Sequence, residues 1–372
     1  MIIRNIDISI DIASWLGKPI PTGISTLSSK SNMYIDLLEV LIHVAKRTSL
    51  PISYGFALGD LWAWLRYLPA VSNSSDLKLR QEWEELDSHQ KTILSDDMGM
   101  GFSSSILSKA LKLLFICPTN YIVENHPSIS LGKTGKRGPN KSPDFIAVDI
   151  HGKLHIIECK GTQKDSKQLD SQLDTGFNQK SNVVAPAGFI DQSLVSGIFI
   201  PQYSNTEKAI FKIKDPEFPL NFSNVSKEDI IESIILGEIA SSIHLLGFPK
   251  LANSIAKNEK LNDSTLEKIK EDINVLATEE WNGKVFRKLD IIHRVDYSEF
   301  IDPEIYAIKV ELGMELEFIN KLFSESDFKV MAENFRKQIE NGQLKTLEAE
   351  STNNWTRVPS PLGFYIKLEV LR

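Results

Sequence analysis

Cysteine is scarce in this sequence, and its scarcity excludes two classes of protein. Only two cysteines occur among the 372 residues, Cys117 and Cys159, and each lies in an apolar stretch. Neither belongs to a CxxC pair or to any other metal-ligand spacing, so a disulfide scaffold and a cysteine-bound zinc site are both excluded. We therefore expect a reducing, cytoplasmic location.

Long apolar runs are also missing. The most apolar window, 54–71, contains Asp60, Arg66 and Pro69, which predicts a packed helix rather than a membrane span. The first fifteen residues have no basic start, apolar centre and small-residue cleavage site, so we expect neither a signal peptide nor a membrane partner.

An overall excess of positive charge is absent too. The net charge of −7 argues at first against a nucleic-acid partner. Between Lys133 and Lys167, however, eight Lys or Arg stand against four Asp or Glu, which leaves about −11 for the rest of the chain. Positive charge is thus concentrated around one segment, where an anionic ligand would be attracted.

The hydropathy pattern divides the chain into three regions. A hydrophobic fraction of 42% and a charged fraction of 24% are typical of globular proteins, and 372 residues predict two or three units. We expect a mostly helical region at 1–95, an α/β region at 96–216 and an α+β region at 217–372, which could recognise DNA or a partner protein. Their elements follow from apolar spacing, caps and turn residues. Helices are predicted at 33–47, 56–68, 76–94, 98–114, 165–180, 227–246 and 264–280, a loop at 22–32, and strands at 121–123, 144–150, 154–160, 194–201, 208–214 and 363–371.

The segment SPDFIAVDIHGKLHIIECKG carries the clearest chemical pattern. Side chains alternate along a strand, so Glu158 and Lys160 share one face and His155 points to the other. A turn at residues 151–152 makes partner numbers sum to about 303, or 302 if it centres on His151, which sets Asp144 opposite Cys159 or Glu158. Two carboxylates and an ammonium therefore converge at one end of a predicted hairpin.

This convergence predicts a metal site. Two close carboxylates on an apolar strand repel each other and need a cation. Oxygen ligation by Asp144, Glu158, a backbone carbonyl and water is typical of Mg²⁺ or Mn²⁺. Such a cation polarises a phosphoryl oxygen and activates water, and Lys160 beside it would offset charge in the transition state.

Pro143-Asp144, a hairpin of suitable length and Glu158-Cys159-Lys160 resemble the signature of the PD-(D/E)xK, or restriction-endonuclease-like, nuclease superfamily. The resemblance covers about 95–216. It implies a restriction-endonuclease-like core, a mixed central sheet flanked by helices. It also implies metal ligation by Asp144, Glu158 and the Cys159 carbonyl, and a catalytic role for Lys160.

One departure from the family pattern concerns an acidic ligand in the first helix. Many members have a glutamate there, whereas GFSSSILSKAL contains no acid. Asp96 or Asp97 would have to substitute, and we carry Asp97 forward as a candidate metal ligand; the number of metals stays open.

Polar side chains near the motif are candidate nucleic-acid contacts. Gln168 and Gln172 follow it where related nucleases place such residues, and a solvated helix face is the alternative. Four cations lie in the glycine-rich loop before the motif and could grip phosphates, unless the loop is an ordinary surface loop. They are Lys133, Lys136, Arg137 and Lys141.

The resemblance implies a Mg²⁺-dependent (or Mn²⁺-dependent) DNA endonuclease of a prokaryotic restriction or anti-phage defence system. The acidic surroundings of the basic segment suggest targeting by a partner protein, as a complex subunit or a homo-oligomer. Two alternatives stay open. One is a non-catalytic nucleic-acid-binding or assembly subunit that keeps the fold, and the other is a nuclease acting on RNA or branched DNA.

Overall fold

The computed structural model describes residues 2–15, 18–52, 67–126, 142–180, 188–215, 226–294, 305–324 and 327–372. It has a mixed α/β architecture with two sheets. Among these residues no helix combines the length and the apolar character needed to cross a bilayer. The predicted helix at 56–68 lies almost entirely outside the described residues.

A seven-stranded mixed sheet is the centre of the molecule. Its strands are β1 (Ile3–Asp11), β2 (Asn32–Asp36), β3 (Leu113–Pro118), β4 (Phe145–Asp149), β5 (Leu154–Thr162), β6 (Ile190–Phe199) and β7 (Ile210–Lys214). They lie in the order β2-β1-β7-β6-β5-β4-β3. The pairs β1–β7 and β5–β6 are parallel and the other neighbours are antiparallel. Strand β5 has neighbours on both sides and is buried along nearly its whole length.

Helices cover both faces of this sheet. The described helices before residue 216 are α1 (Thr22–Ser28), α2 (Leu37–Thr48), α3 (Tyr67–Ala70), α4 (Gln81–Glu84), α5 (Ser88–Leu111), α6 (Thr119–Asn125) and α7 (Ser166–Lys180). Helix α5 starts after Asp87, whose carboxylate caps it by accepting from two backbone N–H groups. It packs on β5 and β6, and α2 packs on α5. Helix α7 lies on the opposite face, where Leu169 and Leu173 pack with Val195 and Phe199.

The C-terminal part adds helices and a second sheet. Its helices are α8 (Lys227–Leu245), α9 (Pro249–Lys257), α10 (Asp263–Asn274), α11 (Leu316–Ser324) and α12 (Phe328–Glu340). Its strands are β8 (Ala277–Trp281), β9 (Lys284–Arg294), β10 (Ala307–Glu315), β11 (Glu350–Ser351), β12 (Trp355–Pro359) and β13 (Phe364–Leu371). They form an antiparallel sheet in the order β11-β12-β13-β10-β9-β8. Helix α2 touches β12 and β13, and one apolar core runs through both sheets.

The second sheet is strongly curled. Arg357 on β12 reaches Glu279 on β8 at 2.7 Å, although three strands lie between them in the sheet order. Trp281 Nε1 on β8 donates to Glu350 on β11 at 3.1 Å, so side chains of the two edge strands meet. Such closure requires the sheet to coil well beyond the twist of a flat sheet.

The inside of the curl holds a buried ionic network around Glu311. Its carboxylate, 2% exposed, accepts from Lys288 at 3.0 Å, from Tyr365 at 2.9 Å and from Arg357 at 3.0 Å. The Arg357 guanidinium also lies 4.4 Å from the Tyr365 ring centroid. Several donors therefore depend on one carboxylate.

The structure confirms several predicted elements within one or two residues. These include the hairpin of β4 and β5, helix α7, helix α8, and the final strand β13. The coarse expectation of a mixed α/β protein with helices flanking a central sheet is confirmed as well.

The prediction that residues 1–95 are mostly helical is wrong for the first third of this region. Ile6, Ile8 and Ile10 alternate with polar residues and form β1, which pairs with β7 of the predicted nuclease core. Residues 32–36 form β2 rather than the start of a helix, and α2 begins only after Asp36 caps it. The predicted loop at 22–32 contains helix α1. Two strands of residues 1–95 thus belong to the central sheet, and the predicted boundaries at 95 and 216 stay predictions.

Three further assignments are wrong for identifiable reasons. Residues 121–123 are helical, and the buried strand is β3, where LLFICP is too short and too apolar to show a period. The predicted helix at 76–94 breaks at Asp87, because that residue caps α5. The predicted helix at 264–280 ends at Asn274, since 277–281 pair with β9.

Replacing Glu311 by glutamine tests the ionic network. We expect a loss of about 2–4 kcal/mol in the free energy of unfolding, because the buried donors lose the carboxylate that they share. Glu369→Gln is the matched control. Its side chain is 25% exposed and, among the described residues, pairs with Lys367 alone, so its loss should be below about 1 kcal/mol. Urea unfolding measures both variants, and equal losses would contradict the prediction.

The same variant gives a pH dependence. Burial alone would raise the pKa of Glu311, but hydrogen bonding with Glu279, Lys288 and Tyr365 holds this pKa well below its usual value. A carboxylate whose pKa is lowered by folding contributes its full stabilisation above the unfolded pKa of about 4.3. This stabilisation is lost as the pH falls through the folded pKa. The stability difference between wild type and Glu311→Gln should therefore be constant near neutral pH and shrink only in acid.

Candidate active site

The register of the β4–β5 hairpin brings the two motif carboxylates together. Phe145 pairs with Ile157 and Val148 with Leu154, so partner numbers sum to 302 and the turn centres on His151. Gly152 has a φ of 67° in this turn, a conformation that glycine adopts without strain. Asp144, one residue before β4, thus lies opposite Glu158, in the second of the two predicted registers.

Two hydrogen bonds fix Asp144 and Glu158 against each other. The Asp144 N–H donates to Glu158 Oε2 at 3.1 Å, and the Cys159 N–H donates to Asp144 Oδ2 at 2.7 Å. Each carboxylate is therefore held by a backbone N–H from the opposite side of the hairpin. This arrangement preorganises both groups before any ligand binds.

Lys160 completes the cluster. Its Nζ donates to Glu158 Oε1, and the side chains are 19% and 2% exposed. A Cβ placed on Gly197 of the neighbouring strand would lie 3.0 Å from Lys160 Cβ and 2.8 Å from Leu169. Lys160 thus lies on the face that α7 covers. His155 has the opposite parity and lies 3.4 Å from Asp149, away from the cluster as predicted.

The electrostatics of the pair show a deficit of positive charge. Burial, together with the nearby charge of Asp144, raises the pKa of Glu158 to about 8, against the opposing effect of Lys160. Burial also raises the pKa of Asp144, against the opposing effect of the Cys159 N–H. Burial alone would lower the pKa of Lys160, but the carboxylate of Glu158 raises it. Among the described residues, one ammonium faces two buried carboxylates and does not balance them, so the pair retains a proton or takes a further cation.

Asp96 on α5 is the acidic residue that acts on this cluster. Burial raises its pKa, with an opposing effect from the charge of Lys160, and its own charge raises the pKa of Asp144. The charge of Asp96 therefore links this candidate to the site. The carboxylate of Asp97, one residue later, accepts a hydrogen bond from Tyr67 Oη. The assignment of Asp97 as a ligand stays a prediction.

A close approach of α5 to β5 explains why Asp96 lies here. A Cβ on Gly161 would come within 1.8 Å of the Ser95 carbonyl oxygen, and one on Gly99 within 2.7 Å of the Lys160 carbonyl. Two glycines therefore allow backbone-to-backbone packing beside the motif. Helix α5 begins at Ser88, ten residues before the predicted start, so Asp96 sits inside the helix rather than at its entrance.

The donors present fit a hard divalent cation. In the described ranges, no three side chains of His, Cys, Asp or Glu form a metal site by themselves. Asp144 and Glu158 supply two carboxylates, and the Cys159 carbonyl belongs to the backbone between them and Lys160. A cation such as Mg²⁺ is commonly bound through one or two carboxylates, with water and substrate oxygens as further ligands. The buried, mutually repelling carboxylates are the observation that favours this fit.

A polar cleft of about 630 Å³ opens beside the cluster. Asp96, Lys91, Lys164 and Gln172 contribute to its lining, together with hydroxyl and amide side chains. Gln163 also lines it and is tied to α5 through bonds to the Lys91 carbonyl at 2.7 Å and Ser95 Oγ at 2.9 Å. The cleft offers hydrogen-bond donors and two lysines to a polar, anionic ligand.

The other residues predicted to contact nucleic acid lie in different places. Gln172 lines the cleft, and its side-chain Oε1 is buried without a hydrogen-bond partner in the described residues. Gln168 lies in the first turn of α7, where its N–H donates to Asp165 at 2.6 Å, and its role stays a prediction. The four cations of the basic loop lie outside the described residues. They are Lys133, Lys136, Arg137 and Lys141.

Comparisons of this chain with protein-family models, with curated proteins and with solved structures found no match in any of the three.

Adding a methyl group at Gly161 tests the α5–β5 approach. Gly161→Ala should lower the free energy of unfolding by at least about 1–3 kcal/mol, because the new Cβ meets the backbone carbonyl of Ser95. Chemical denaturation measures the loss. Ser171→Ala on the exposed side of α7 is the control and should change stability by less than about 0.5 kcal/mol. An unchanged free energy of unfolding in Gly161→Ala would show that α5 does not pack this closely on β5.

Proposed function

We propose that this chain is a Mg²⁺-dependent or Mn²⁺-dependent nuclease that hydrolyses DNA phosphodiester bonds, with Asp144, Glu158 and Lys160 at its active site. The observation that supports the proposal most directly is the convergence of these three residues at the end of β5, two of them held by reciprocal backbone bonds. A restriction-endonuclease-like core is part of the same proposal. Its support is the order of α5, β3, β4, β5, α7, β6 and β7.

The carboxylates have the role of binding the cation. Asp144 and Glu158 would hold it, and the proton favoured by the raised pKa of Glu158 would be released on binding. When bound, the cation supplies Lewis-acid polarisation of the phosphate and a lowered pKa for water. Asp96 lies close enough to contribute charge to the same position.

Lys160 has the role of stabilising charge on the substrate. Its ammonium is held by Glu158 and is partly exposed toward the site. Charge grows on the phosphate oxygens as the bond to the attacking oxygen forms, and a preorganised ammonium offsets this charge. The ion pair with Glu158 also keeps Lys160 protonated, so its task is electrostatic rather than that of a general base.

The polar cleft provides the place for the nucleic-acid strand. Asp96 and Gly161 line it, and Gly161 directly follows Lys160 in β5, so the cleft adjoins the catalytic cluster. Gln172 with its side-chain amide, and Lys91 and Lys164 with their charges, would contact the backbone or bases of the substrate. Among the residues that line the cleft, four amides outnumber the two lysines, and the other cations of the basic segment 133–167 would supply further charge.

Three variants test the proposal. Asp144→Asn, Glu158→Gln and Lys160→Met are each expected to lower the rate of DNA cleavage by at least about a hundredfold, because each removes charge at the reacting phosphate. The assay uses the full chain with linear, single-stranded and branched DNA and with RNA, in Mg²⁺, in Mn²⁺ and in EDTA. Thermal unfolding verifies that each variant is folded.

The control for this assay is Lys329→Met. Lys329 ends a similar short motif, Asp327-Phe328-Lys329, but lies exposed in the first turn of α12. The Lys329→Met variant should cleave DNA at the same rate as the wild type. Cleavage that persists in all three site variants would exclude the assignment. Metal-independent binding of DNA without cleavage of any substrate would instead favour a non-catalytic binding subunit.

A separate pair of variants distinguishes Asp96 from Asp97. Asp96→Asn should weaken Mn²⁺ binding by about tenfold or more, since it removes a charge that acts on Asp144. Asp97→Asn should leave Mn²⁺ affinity within about twofold and lower thermal stability, because Asp97 accepts from Tyr67. Calorimetric titration with Mn²⁺ measures both. A larger loss of affinity in Asp97→Asn would reverse the assignment.

A further inference from the structure

A second polar cavity lies at the other end of α5. It has a volume of about 500 Å³ and is enclosed by α2, the end of α5, β3 and two segments of the C-terminal part, 346–349 and 358–361. Thirteen residues separate Asp96 from Lys109, which lines this cavity, so the two sites are roughly 20 Å apart along the helix. We name it the α2–α5 cavity. It does not belong to the proposed nuclease site.

The floor of this cavity holds a buried group of three charges with a positive excess. Glu238 of α8 is 3% exposed and contacts Lys46 Nζ at 2.5 Å and Arg47 Nη2 at 3.3 Å. Arg47 also donates to the Ile116 carbonyl. Among the residues that the structure describes, two cations therefore share one carboxylate, which leaves one positive charge unbalanced in a poorly hydrated position. Burying such a charge is costly unless an anion accompanies it.

Two more lysines stand at the wall of the cavity. Lys109 Nζ lies 2.7 Å from Glu39, whereas Lys112 has no carboxylate within 4.0 Å among the residues that the structure describes. Lys112 ends α5 in the left-handed conformation, with a φ of 54°. With Glu348 included, the lining holds four cations and three carboxylates, which leaves one net positive charge.

His43 supports the same conclusion. It lines the cavity and is 8% exposed. Burial lowers its pKa well below the usual value, and the charges of Arg47, Lys46 and Lys109 lower it further. The imidazole therefore stays neutral, and it reports a positive potential in this part of the molecule.

The remaining walls fit the organic part of a ligand. Leu113, Leu114, Val358, Pro359 and Pro361 provide apolar surface. Hydroxyl groups of Ser105, Ser108 and Ser360 add hydrogen-bonding groups. The volume falls within the range of roughly 300–1,000 Å³ that is usual for small-molecule sites, and it exceeds what an inorganic anion alone would fill.

We propose that the α2–α5 cavity binds a small organic phosphomonoester, whose phosphate contacts Lys46 and Lys112 and whose organic part lies against the apolar wall. A phosphate anion matches the cation excess of the lining better than a neutral ligand does, because it supplies negative charge and accepts several ammonium donors at once. This proposal is independent of the nuclease assignment.

The test measures binding to the full chain by calorimetry. The probes are ribose 5-phosphate, adenosine 5′-monophosphate, inorganic phosphate and adenosine. Saturable binding of the two phosphomonoesters, at least about tenfold tighter than that of inorganic phosphate and of adenosine, is the expected result. No saturable binding of either phosphomonoester up to about 1 mM would overturn the proposal.

Two variants locate the site. Lys112→Asn removes one charge and keeps a residue that tolerates the left-handed conformation, so it should fold normally. It is expected to weaken phosphomonoester binding by about tenfold, and Lys46→Met by more, because Lys46 contributes to the buried excess. Lys260→Asn in an exposed loop is the matched control and should bind as the wild type does. Equal affinity in wild type and Lys112→Asn would place any binding elsewhere and overturn the proposal.

Discussion

The close packing of α5 against β5 is the constraint on which the candidate site depends. Strand β5 carries Glu158 and Lys160 on one face and Cys159 and Gly161 on the other, and α5 covers the second face. Because Gly99 and Gly161 have no side chains, the two backbones approach within a distance that any Cβ would prevent. This approach brings Asp96 to the edge of the strand, where its charge acts on Asp144 and Lys160.

The hairpin and the helix contribute to the site in different ways, and this difference explains what the sequence could predict. The position of Asp144 opposite Glu158 follows from a two-residue alternation and a local turn, so it was predictable from twenty residues. The role of Asp96 depends on where α5 begins and on which of its sides meets β5. Asp87 determines where α5 begins. A contact between residues more than sixty positions apart determines which side of α5 meets β5.

The N-terminal strands show the same limit. Ile6, Ile8 and Ile10 have the spacing of a strand, but β1 joins the central sheet through its pairing with β7, about two hundred residues away. The sequence predicts that a helix begins at residue 33, but pairing with β1 makes 32–36 a strand. The α2–α5 cavity was not predictable at all, because its lining comes from residues as distant as Glu39 and Pro361. Long-range pairing overrides local propensity in each case.

The curled sheet of the C-terminal part has a consequence for the behaviour of the protein in concentrated solution. An open sheet ends in two strands whose free N–H and C=O groups invite pairing with another chain. In this sheet the bonds from Trp281 and Asn282 to Glu350 join β8 to β11, so each edge strand is close to the other. Strand addition from a second molecule would have to displace these contacts. The curl that buries Glu311 therefore also protects the sheet against edge-to-edge self-association.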